Sequence, residues 1–210
     1  MVVLLDLYAG SGSVGTVARK MGWEVIGIDN NPHASGASIY ADILKYNYRS
    51  LPVPDVIFSS PPCTTYSTAA TWYRHRDPKT AVPLTDAAKI ADRILRRTIK
   101  IYEHFRTKNP RLRFIIENPR GYMRRRPEVQ RFHRATTTHS SYGSPIVKPT
   151  DFWSNFALKL KPLYFPAVVK IGKKDWFKKI GDLKGKTQHD KLGHIPSKLV
   201  SSILKQSNKP

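Results

Sequence analysis

The sequence predicts an α/β protein with a mostly parallel central sheet. Short apolar runs alternate along the chain with segments of helical periodicity, which is the pattern of strand–helix–strand units. Several of the runs end directly in glycine, proline or polar residues, as strands of a parallel sheet do at the edge where ligands bind. Hydrophobic residues make up 40% of the 210 residues and aromatic residues 10%, which is enough for one buried core. We therefore expect one domain with a small appendage.

The first 29 residues predict two strands with a helix between them. Residues 2–8 are largely apolar, and three glycines follow between positions 9 and 15, which indicates a buried strand that leads into a turn. A short helix is expected over residues 14–21. Residues 23–28 then predict a second strand that ends at Asp29.

Two further strands and one long helix are predicted in the middle of the chain. Residues 55–58 and 113–116 are mostly apolar and run straight into polar residues and proline. Between them, residues 86–105 repeat apolar side chains at helical spacing and carry basic side chains on the other face. These segments continue the alternation of strand and helix that a parallel sheet requires.

The last part of the chain is less regular. Residues 136–138 and 151–153 predict two more strands, which the turn-rich residues 140–149 separate. The chain then becomes rich in lysine, until residues 195–204 predict a final helix with Pro196 in its first turn. The sequence has no internal repeat.

The formal charge of +21, from 36 basic and 15 acidic residues, indicates a polyanionic partner rather than a small metabolite. Residues 1–92 are balanced, whereas residues 93–134 hold twelve arginines and two lysines against three acids. Residues 158–210 hold thirteen lysines against three acids. Arginine binds phosphate or guanine bidentately, while lysine acts as a point charge. We expect contact with nucleic acid, and a solvated, solubilising surface is the alternative.

Cysteine usage and hydropathy predict the cellular setting. Cys63 is the only cysteine, which excludes an internal disulfide framework and a cysteine-cluster zinc site, and we expect no metal. No apolar stretch approaches the roughly 18 residues of a membrane span, and no basic segment precedes the first apolar run. We expect a soluble, intracellular, monomeric protein of the cytoplasm or nucleus, without membrane contact.

A glycine pattern predicts a nucleotide-type site. Residues 10–15 match Gly-x-Gly-x-x-Gly, directly after a predicted strand and before a helix. Glycines there let the backbone approach a ligand, and Asp29 at the end of the next strand can accept from ribose hydroxyls. The pattern fits a dinucleotide about as well as another adenosyl cofactor, and a tight turn without a ligand is the alternative. Asp42 can receive an adenine amino group, or else is a surface carboxylate or a helix cap.

Two further clusters follow the strands in the middle of the chain. Residues 59–67 contain two prolines that stiffen the backbone before Cys63, which then lies at the sheet edge where ligands bind. The alternative is a small buried side chain, the commoner role of a lone cysteine. Residues 117–124 begin with Glu117, which we expect at the same edge, and an ion pair with a nearby arginine is the alternative role for this acid.

Together, the three clusters resemble the motifs of the cytosine-C5 methyltransferase family. Residues 6–12 are similar to its cofactor motif, Asp-Leu-Phe-Ala-Gly-x-Gly. Pro61-Pro62-Cys63 with Ser67 resembles its nucleophile motif, and Glu117-Asn118-Pro119 resembles its Glu-Asn-Val motif. The order of the motifs and their places after predicted strands also match. The resemblance covers residues 3–155, with a faint return at residues 193–196.

The resemblance implies a Rossmann-like methyltransferase fold and methyl transfer from S-adenosyl-L-methionine to C5 of cytosine in DNA, with S-adenosyl-L-homocysteine as product. It implies that Cys63 adds to C6 of the base and that Glu117 binds N3 and the exocyclic amine. The target base must leave the duplex stack to reach them. The cofactor-binding residues are expected to be Asp6, Tyr8, Ala9, Gly10, Gly12, Asp29, Asn30, Asp42, Ser60 and Pro61.

Nucleic-acid contact is expected from the two basic blocks and from the nucleophile motif. An enzyme that extrudes a base needs strong contacts to the backbone of its substrate. The expected contact residues are Ser67, Arg120, Arg124, Arg125, Arg126, Lys173, Lys174, Lys178 and Lys179.

The chain departs from the family pattern after its third motif. The Gln-x-Arg-x-Arg element is absent, because residues 134–140 are Arg-Ala-Thr-Thr-Thr-His-Ser, and residues 156–192 are too few for a folded target-recognition domain. We expect a catalytic domain over residues 1–157, a lysine-rich nucleic-acid-contacting segment over residues 158–192 and a helix within residues 193–210 that packs back on the catalytic domain. A transfer-RNA cytosine-C5 methyltransferase and a catalytically degenerate nucleic-acid-binding module of the same fold are the alternatives.

Overall fold

A computed structural model describes residues 1–68, 74–165 and 194–208 of the chain. These residues form a seven-stranded sheet with helices packed on both faces. The sheet is mostly parallel, which confirms the predicted α/β class. In the described ranges, no helix combines the length and the apolar character that a membrane crossing requires.

The strands are β1 (Val3–Leu7), β2 (Glu24–Asp29), β3 (Ile39–Tyr40), β4 (Val56–Ser59), β5 (Arg113–Pro119), β6 (His133–Thr138) and β7 (Pro149–Ser154). Their order in the sheet is β3-β2-β1-β4-β5-β7-β6. The first five are mutually parallel, and β7 is antiparallel to both of its neighbours. The order 3-2-1-4-5 is also that of the Rossmann fold, in which ligands bind where the strand order reverses. That point lies between β1 and β4.

Three helices of the described residues cover the sheet, and each buries one apolar face. Helices α1 (Ser13–Lys20) and α3 (Ser197–Ser207) share one core cluster with β1, β4 and β5, while α2 (Asp86–Lys108) covers the other face. Thr85 caps α2, because its side chain accepts from the Ala88 amide at 3.3 Å. Short 3-10 turns lie at Tyr48–Ser50, Tyr122–Arg125, Pro127–Val129 and His139–Tyr142.

The predicted elements are present with shifted ends. Helix α2 continues beyond residue 105 to Lys108, and β5 continues to Pro119 because its last residues pair with β7. Pro196 occupies the N-cap of α3 and not its first turn. The sequence does not predict β3, because two residues are too few to produce a periodicity.

Helix α3 lies against α1, and its Leu199 and Ile203 share a core cluster with Val14. Lys159 is joined to the same helix, since its amide donates to Gln206 Oε1 at 2.8 Å and its carbonyl accepts from Gln206 Nε2 at 3.0 Å. The chain just after residue 157 is therefore attached to the sheet domain. The expected division at 157/158 and 192/193 stays a prediction.

Candidate active site

The carboxyl ends of four parallel strands bring the predicted clusters to one edge of the sheet. The glycine turn follows β1, Asp29 ends β2, the segment with Cys63 follows β4, and Glu117 lies near the end of β5. Since these strands are neighbours, side chains that are far apart in the sequence share the edge at which α/β proteins bind ligands.

The turn after β1 begins with an unusual backbone conformation at Tyr8. This residue has a φ of 64°, a left-handed value that costs a non-glycine residue roughly 1–2 kcal/mol. The amides of Tyr8 and Ala9 both donate to the Ile28 carbonyl, at 2.8 and 3.1 Å, which fixes the turn against β2. Strain of this kind is typical of functional positions, where the surrounding structure enforces it.

Two glycine-containing loops meet backbone to backbone behind this turn. A Cβ on Gly12 would come within 3.0 Å of Gly36 Cα, and one on Gly36 within 2.5 Å of Gly12 Cα. The Gly36 amide donates to the Gly10 carbonyl at 3.0 Å. Gly36 is therefore needed for the shape of the turn. The sequence analysis does not identify it, because it lies outside the Gly-x-Gly-x-x-Gly segment.

Asp29 ties the glycine turn to the loop after β2. Its Oδ2 accepts from the Gly10 amide at 2.9 Å, and its Oδ1 accepts from the Asn31 amide at 2.8 Å. Each carboxylate oxygen can accept more than one hydrogen bond. The half-buried side chain is therefore fixed in place and still able to accept from a ligand.

A small cleft opens beside the glycine turn. Tyr8 forms one wall, and its hydroxyl hydrogen bonds with Thr98 Oγ1 at 2.8 Å, while burial raises the pKa of this phenol. Asp42 is exposed, and its Oδ1 accepts from the Leu44 amide at 2.9 Å. The cleft therefore combines apolar walls with two carboxylates. Its lining residues are Tyr8, Ile28, Asp29, Asn30, Ala41, Asp42, Ile43, Pro62 and Ile94.

Asp6 is buried beneath the glycine turn and is not part of the cleft lining. Burial raises the pKa of its carboxyl to about 7, although a hydrogen bond from the Gly15 backbone opposes this shift. Its Oδ2 has no hydrogen-bond partner among the described residues. The expected contact of Asp6 with a cofactor stays a prediction.

The segment that carries Cys63 is held by the strands on either side. The Ser60 amide donates to the Leu7 carbonyl at 3.1 Å, and the buried Asn118 Nδ2 donates to the Pro61 carbonyl at 2.9 Å. Asn118 follows Glu117 in β5, so one strand end positions both the acid and the segment that bears the thiol.

Cys63 and Glu117 influence each other electrostatically at this edge. Burial raises the pKa of the half-buried Cys63 thiol, the charge of Lys148 lowers it, and Glu117 raises it. Glu117 is 5% exposed, and burial raises the pKa of its carboxyl against the opposing effects of Lys148 and a hydrogen bond from Ser60. Its Oε1 has no hydrogen-bond partner in the described part of the chain. A buried carboxyl whose pKa is raised, and whose second oxygen has no described partner, is suited to hydrogen bond a ligand.

Lys148 belongs to the same cluster, although the sequence analysis does not single it out. It directly precedes β7, and its carbonyl accepts from the His139 amide at 3.3 Å. The neighbouring His139 side chain is buried, which lowers its pKa to about 3, with smaller contributions from the charges of Lys148 and His194. A single lysine at the end of a turn-rich segment forms no motif, so only the strand order reveals its place.

A buried ionic network holds the loop after β4 against α2. The Arg76 side chain is fully buried, pairs with Asp92 at 2.8 Å and donates to the Thr65 carbonyl at 2.9 Å. The Tyr66 hydroxyl donates to the same Asp92 oxygen at 2.7 Å, and the Arg76 guanidinium lies over the Tyr66 ring. Arg126 binds the other Asp92 oxygen at 3.1 Å. Sequence reasoning misses this network, because buried and exposed charges look alike in a sequence.

The arginines that were expected to contact nucleic acid differ in their surroundings. Arg124 forms a two-pronged ion pair with Asp151, with both distances 2.5 Å, and Arg126 belongs to the network around α2. Arg125 is exposed and donates to two backbone carbonyls. These partners give Arg124 and Arg126 a structural role that the sequence analysis does not anticipate. Arg120 is exposed, and its guanidinium has no hydrogen bond or ion pair with a described residue.

A pocket of about 340 Å³ lies beside the end of β5. Ser67 pairs with Gly121 in an isolated bridge next to it, so the nucleophile segment and the arginine-rich turn meet at its edge. The expected contacts Lys173, Lys174, Lys178 and Lys179 lie outside the described residues. The pocket is lined by Thr68, Arg120, Gly121, Tyr122, Arg124, Arg125 and Pro149.

No protein-family model matches the chain, and no curated protein matches it. Among solved structures, it resembles a protein assigned as a DNA modification methyltransferase encoded within an E. coli prophage, at 18% identity over 73% of this chain and 46% of that chain, with a TM-score of 0.45. The S. pombe Dnmt2 methyltransferase matches at 16% identity over 76% of this chain and 53% of that chain, with a TM-score of 0.48. A Spodoptera frugiperda DNMT2 mutant matches at 14% identity over 79% of this chain and 56% of that chain, with a TM-score of 0.46. The chain spans about half the length of these structures, and likeness at this level carries no information on activity.

Proposed function

We propose that this protein methylates C5 of cytosine in DNA, with S-adenosyl-L-methionine as the methyl donor. The observation that carries the proposal is that the Cys63 thiol and the buried Glu117 carboxyl lie at the sheet edge that also holds the glycine turn. Oε1 of Glu117 has no hydrogen-bond partner among the described residues. Cytosine C5 is too poor a nucleophile to take a methyl group directly, so a thiolate must first add at C6. A protonated carboxyl at N3 can offset the charge that then develops in the ring.

The glycine turn and the neighbouring cleft fit an adenosyl cofactor. The contact between Gly12 and Gly36 holds the turn in shape, and Gly10 has no side chain to keep a ligand from its backbone. Asp29 is suited to ribose hydroxyls, and Tyr8 and Pro62 are apolar walls of the kind that nucleotide bases occupy. When bound, S-adenosylmethionine would supply an electrophilic methyl group on its sulfonium. The further residues that we propose to hold it are Asp6, Ala9, Gly10, Asn30, Asp42, Ser60 and Pro61.

In the proposed reaction, Cys63 loses its proton to solvent and its sulfur forms a bond to C6. Glu117 protonates N3, and the electron pair of the C5–C6 double bond moves to C5, which takes the methyl group as the bond between that group and the donor sulfur breaks. A proton then leaves C5 to solvent, the C5–C6 double bond forms again, and the bond from sulfur to C6 breaks so that Cys63 departs as a thiolate. Glu117 recovers the proton from N3 and the Cys63 thiolate takes a proton from solvent, which returns both residues to their starting state.

Nucleic acid is the proposed substrate because of where the charge lies. Extrusion of a base from the stack costs roughly a few kcal/mol, which contacts to the backbone must offset. The arginine block surrounds Glu117 in the sequence, and the lysine block over residues 158–192 is proposed to add affinity without sequence selectivity. DNA is the first candidate. RNA is the second, since the groups that handle the base would be the same.

Transfer of a tritiated methyl group tests the reaction and its substrate. We expect label from S-adenosylmethionine to appear as 5-methylcytosine in DNA that contains cytosine. Equal or greater labelling of RNA would move the assignment to an RNA methyltransferase. If no base is labelled while salt-sensitive binding to DNA persists, the protein is a binding module and the proposed activity is wrong.

Arg120 should contribute one backbone contact to this binding. Its exposed guanidinium lines the pocket beside β5, so Arg120→Ala should weaken binding to all DNA sequences and reduce the slope of log K against log salt by about 1. Fluorescence anisotropy of a labelled duplex over a series of salt concentrations measures both quantities. Arg111→Ala is the matched control, because Arg111 is exposed just before β5, at the other edge of the sheet. Equal slopes for the two variants would exclude Arg120 as a phosphate contact.

A further inference from the structure

We propose that Lys148 supplies the positive charge that makes Cys63 a nucleophile. The inference deepens the proposed function and rests on it for its purpose, but the thiol chemistry that it concerns can be measured without methyl transfer. Lys148 lies on no motif, and its role follows from where the sheet topology places it.

The insertion of β7 between β5 and β6 determines the position of Lys148. Because β7 is antiparallel to β5, its first residues lie beside the last residues of β5, where Thr150 pairs with Pro119. The backbone at this point is fixed on both sides. The Lys148 carbonyl accepts from the His139 amide at 3.3 Å, and the next carbonyl, that of Pro149, accepts from the Arg120 amide at 2.9 Å. The lysine is therefore held at the strand end that carries Glu117.

The charge of Lys148 acts on both of the groups that the reaction requires. It lowers the pKa of the Cys63 thiol and that of the Glu117 carboxyl, and it is the strongest opposing influence on each after burial. The side chain is half-buried, so water screens its field less than it would at the surface. The backbone geometry places Lys148 beside the segment that bears the thiol. Ser67 of that segment pairs with Gly121, next to Arg120, whose amide donates to the carbonyl of Pro149.

Such a cation is needed because burial favours the unreactive form of Cys63. The thiolate is the nucleophile, and burial raises the thiol pKa, as Glu117 does to a smaller extent. His139 cannot replace the lysine, because its buried imidazole has a pKa lowered to about 3 and stays neutral. Among the described residues, the ionisable groups around the thiol are Glu117 of β5, Lys148 before β7, and, beyond the lysine, His139 and His194. Among them, Lys148 is the one whose charge favours the thiolate.

Alkylation by iodoacetamide tests this role, because Cys63 is the only thiol in the chain. The rate is measured in the folded protein across the pH range in which a thiol titrates, for wild type, Lys148→Met, Lys148→Gln and Lys148→Arg. We expect the two neutral variants to react about threefold to tenfold more slowly at neutral pH, with the midpoint moved to higher pH. Lys148→Arg should restore most of the rate. Lys108→Met, at the far end of α2, is the control and should titrate as wild type does.

The outcomes separate this inference from the proposed function. An unchanged midpoint in both Lys148→Met and Lys148→Gln would overturn the role of Lys148, even in a protein that methylates DNA. A midpoint that depends on Lys148, in a protein that methylates no cytosine, would support the inference and refute the methyltransferase. If one neutral variant unfolds, Cys63 becomes exposed and reacts faster, and a urea titration of the same sample identifies this case. The role of Lys148 is then judged from the other neutral variant.

Discussion

Replacement of Cys63 by alanine should abolish the covalent adduct between this protein and DNA that contains 5-fluorocytosine. Fluorine at C5 cannot leave as a proton does, so after methyl transfer the bond between sulfur and C6 persists and the complex survives denaturing electrophoresis. With Cys63→Ala no sulfur is present, and no adduct should form at any time or enzyme concentration. Wild-type protein with the unfluorinated duplex is the control, since it should turn over and release its product.

The matched Glu117→Gln variant should form the adduct slowly. Glutamine keeps the shape of the side chain but cannot transfer a proton to N3, and removal of a general acid slows such steps by about 10²–10⁴-fold. Because burial raises the pKa of Glu117, the wild-type rate should fall as pH rises through that raised value and the carboxyl loses its proton. This fall should be absent in Glu117→Gln, whose amide stays neutral throughout.

An adduct in Cys63→Ala would show that another group attacks the base, and the proposed mechanism would be abandoned. A rate in Glu117→Gln equal to that of wild type would leave the thiol in place but remove the acid from the reaction. Peptide mapping of the trapped wild-type complex provides the direct measurement, since the modified peptide must contain Cys63.

The sequence predicts those elements of the fold in which apolar and polar residues recur in a regular pattern along the chain. Apolar runs define β1, β4 and β5, and the helical period defines α2, because burial of one face leaves a pattern in neighbouring residues. The polar residue that follows each run marks the edge of the sheet. Cys63 and Glu117 can therefore be assigned to the same site before any coordinate is known.

The parts that the sequence does not predict depend on long-range pairing and on burial. Lys148 reaches the site only because β7 enters the sheet between β5 and β6, and no local pattern encodes that order. Gly36 matters because a second loop touches it, and Arg76 counts as a surface charge until its burial is known. Arg124 likewise counts as a cation open to nucleic acid until its ion pair with Asp151, which neutralises its charge within the fold, is known. Net charge predicts the kind of partner, but only the structure tells which cations are available to it.

Replacement of Asp92 by asparagine should cause the largest loss of stability among single substitutions on α2. Its carboxylate is 3% exposed and binds the Arg76 guanidinium, which is 0% exposed, and its second oxygen binds Arg126. The asparagine side chain has nearly the same size but leaves the buried Arg76 cation without a counter-charge. Removal of one partner of such a pair costs about 3–5 kcal/mol. Urea denaturation, followed by circular dichroism, measures the free energy of unfolding directly.

Asp86→Asn is the matched control, because it makes the same chemical change on the same helix. Asp86 pairs with Lys89 at 3.0 Å, but both side chains are largely exposed, so we expect its free energy of unfolding to stay within about 1 kcal/mol of wild type. If the two variants were equally stable, the network around Asp92 would contribute no more to the free energy of unfolding than a surface ion pair does.

The double variant Arg76→Met with Asp92→Leu tests whether the unpaired Arg76 charge causes the loss of stability. It removes both charges, so it should recover part of the loss if the unpaired Arg76 is responsible. Because Thr65 and Tyr66 lie two and three residues after Cys63, faster alkylation of the thiol in Asp92→Asn under native conditions would show that the same network keeps the nucleophile segment in place.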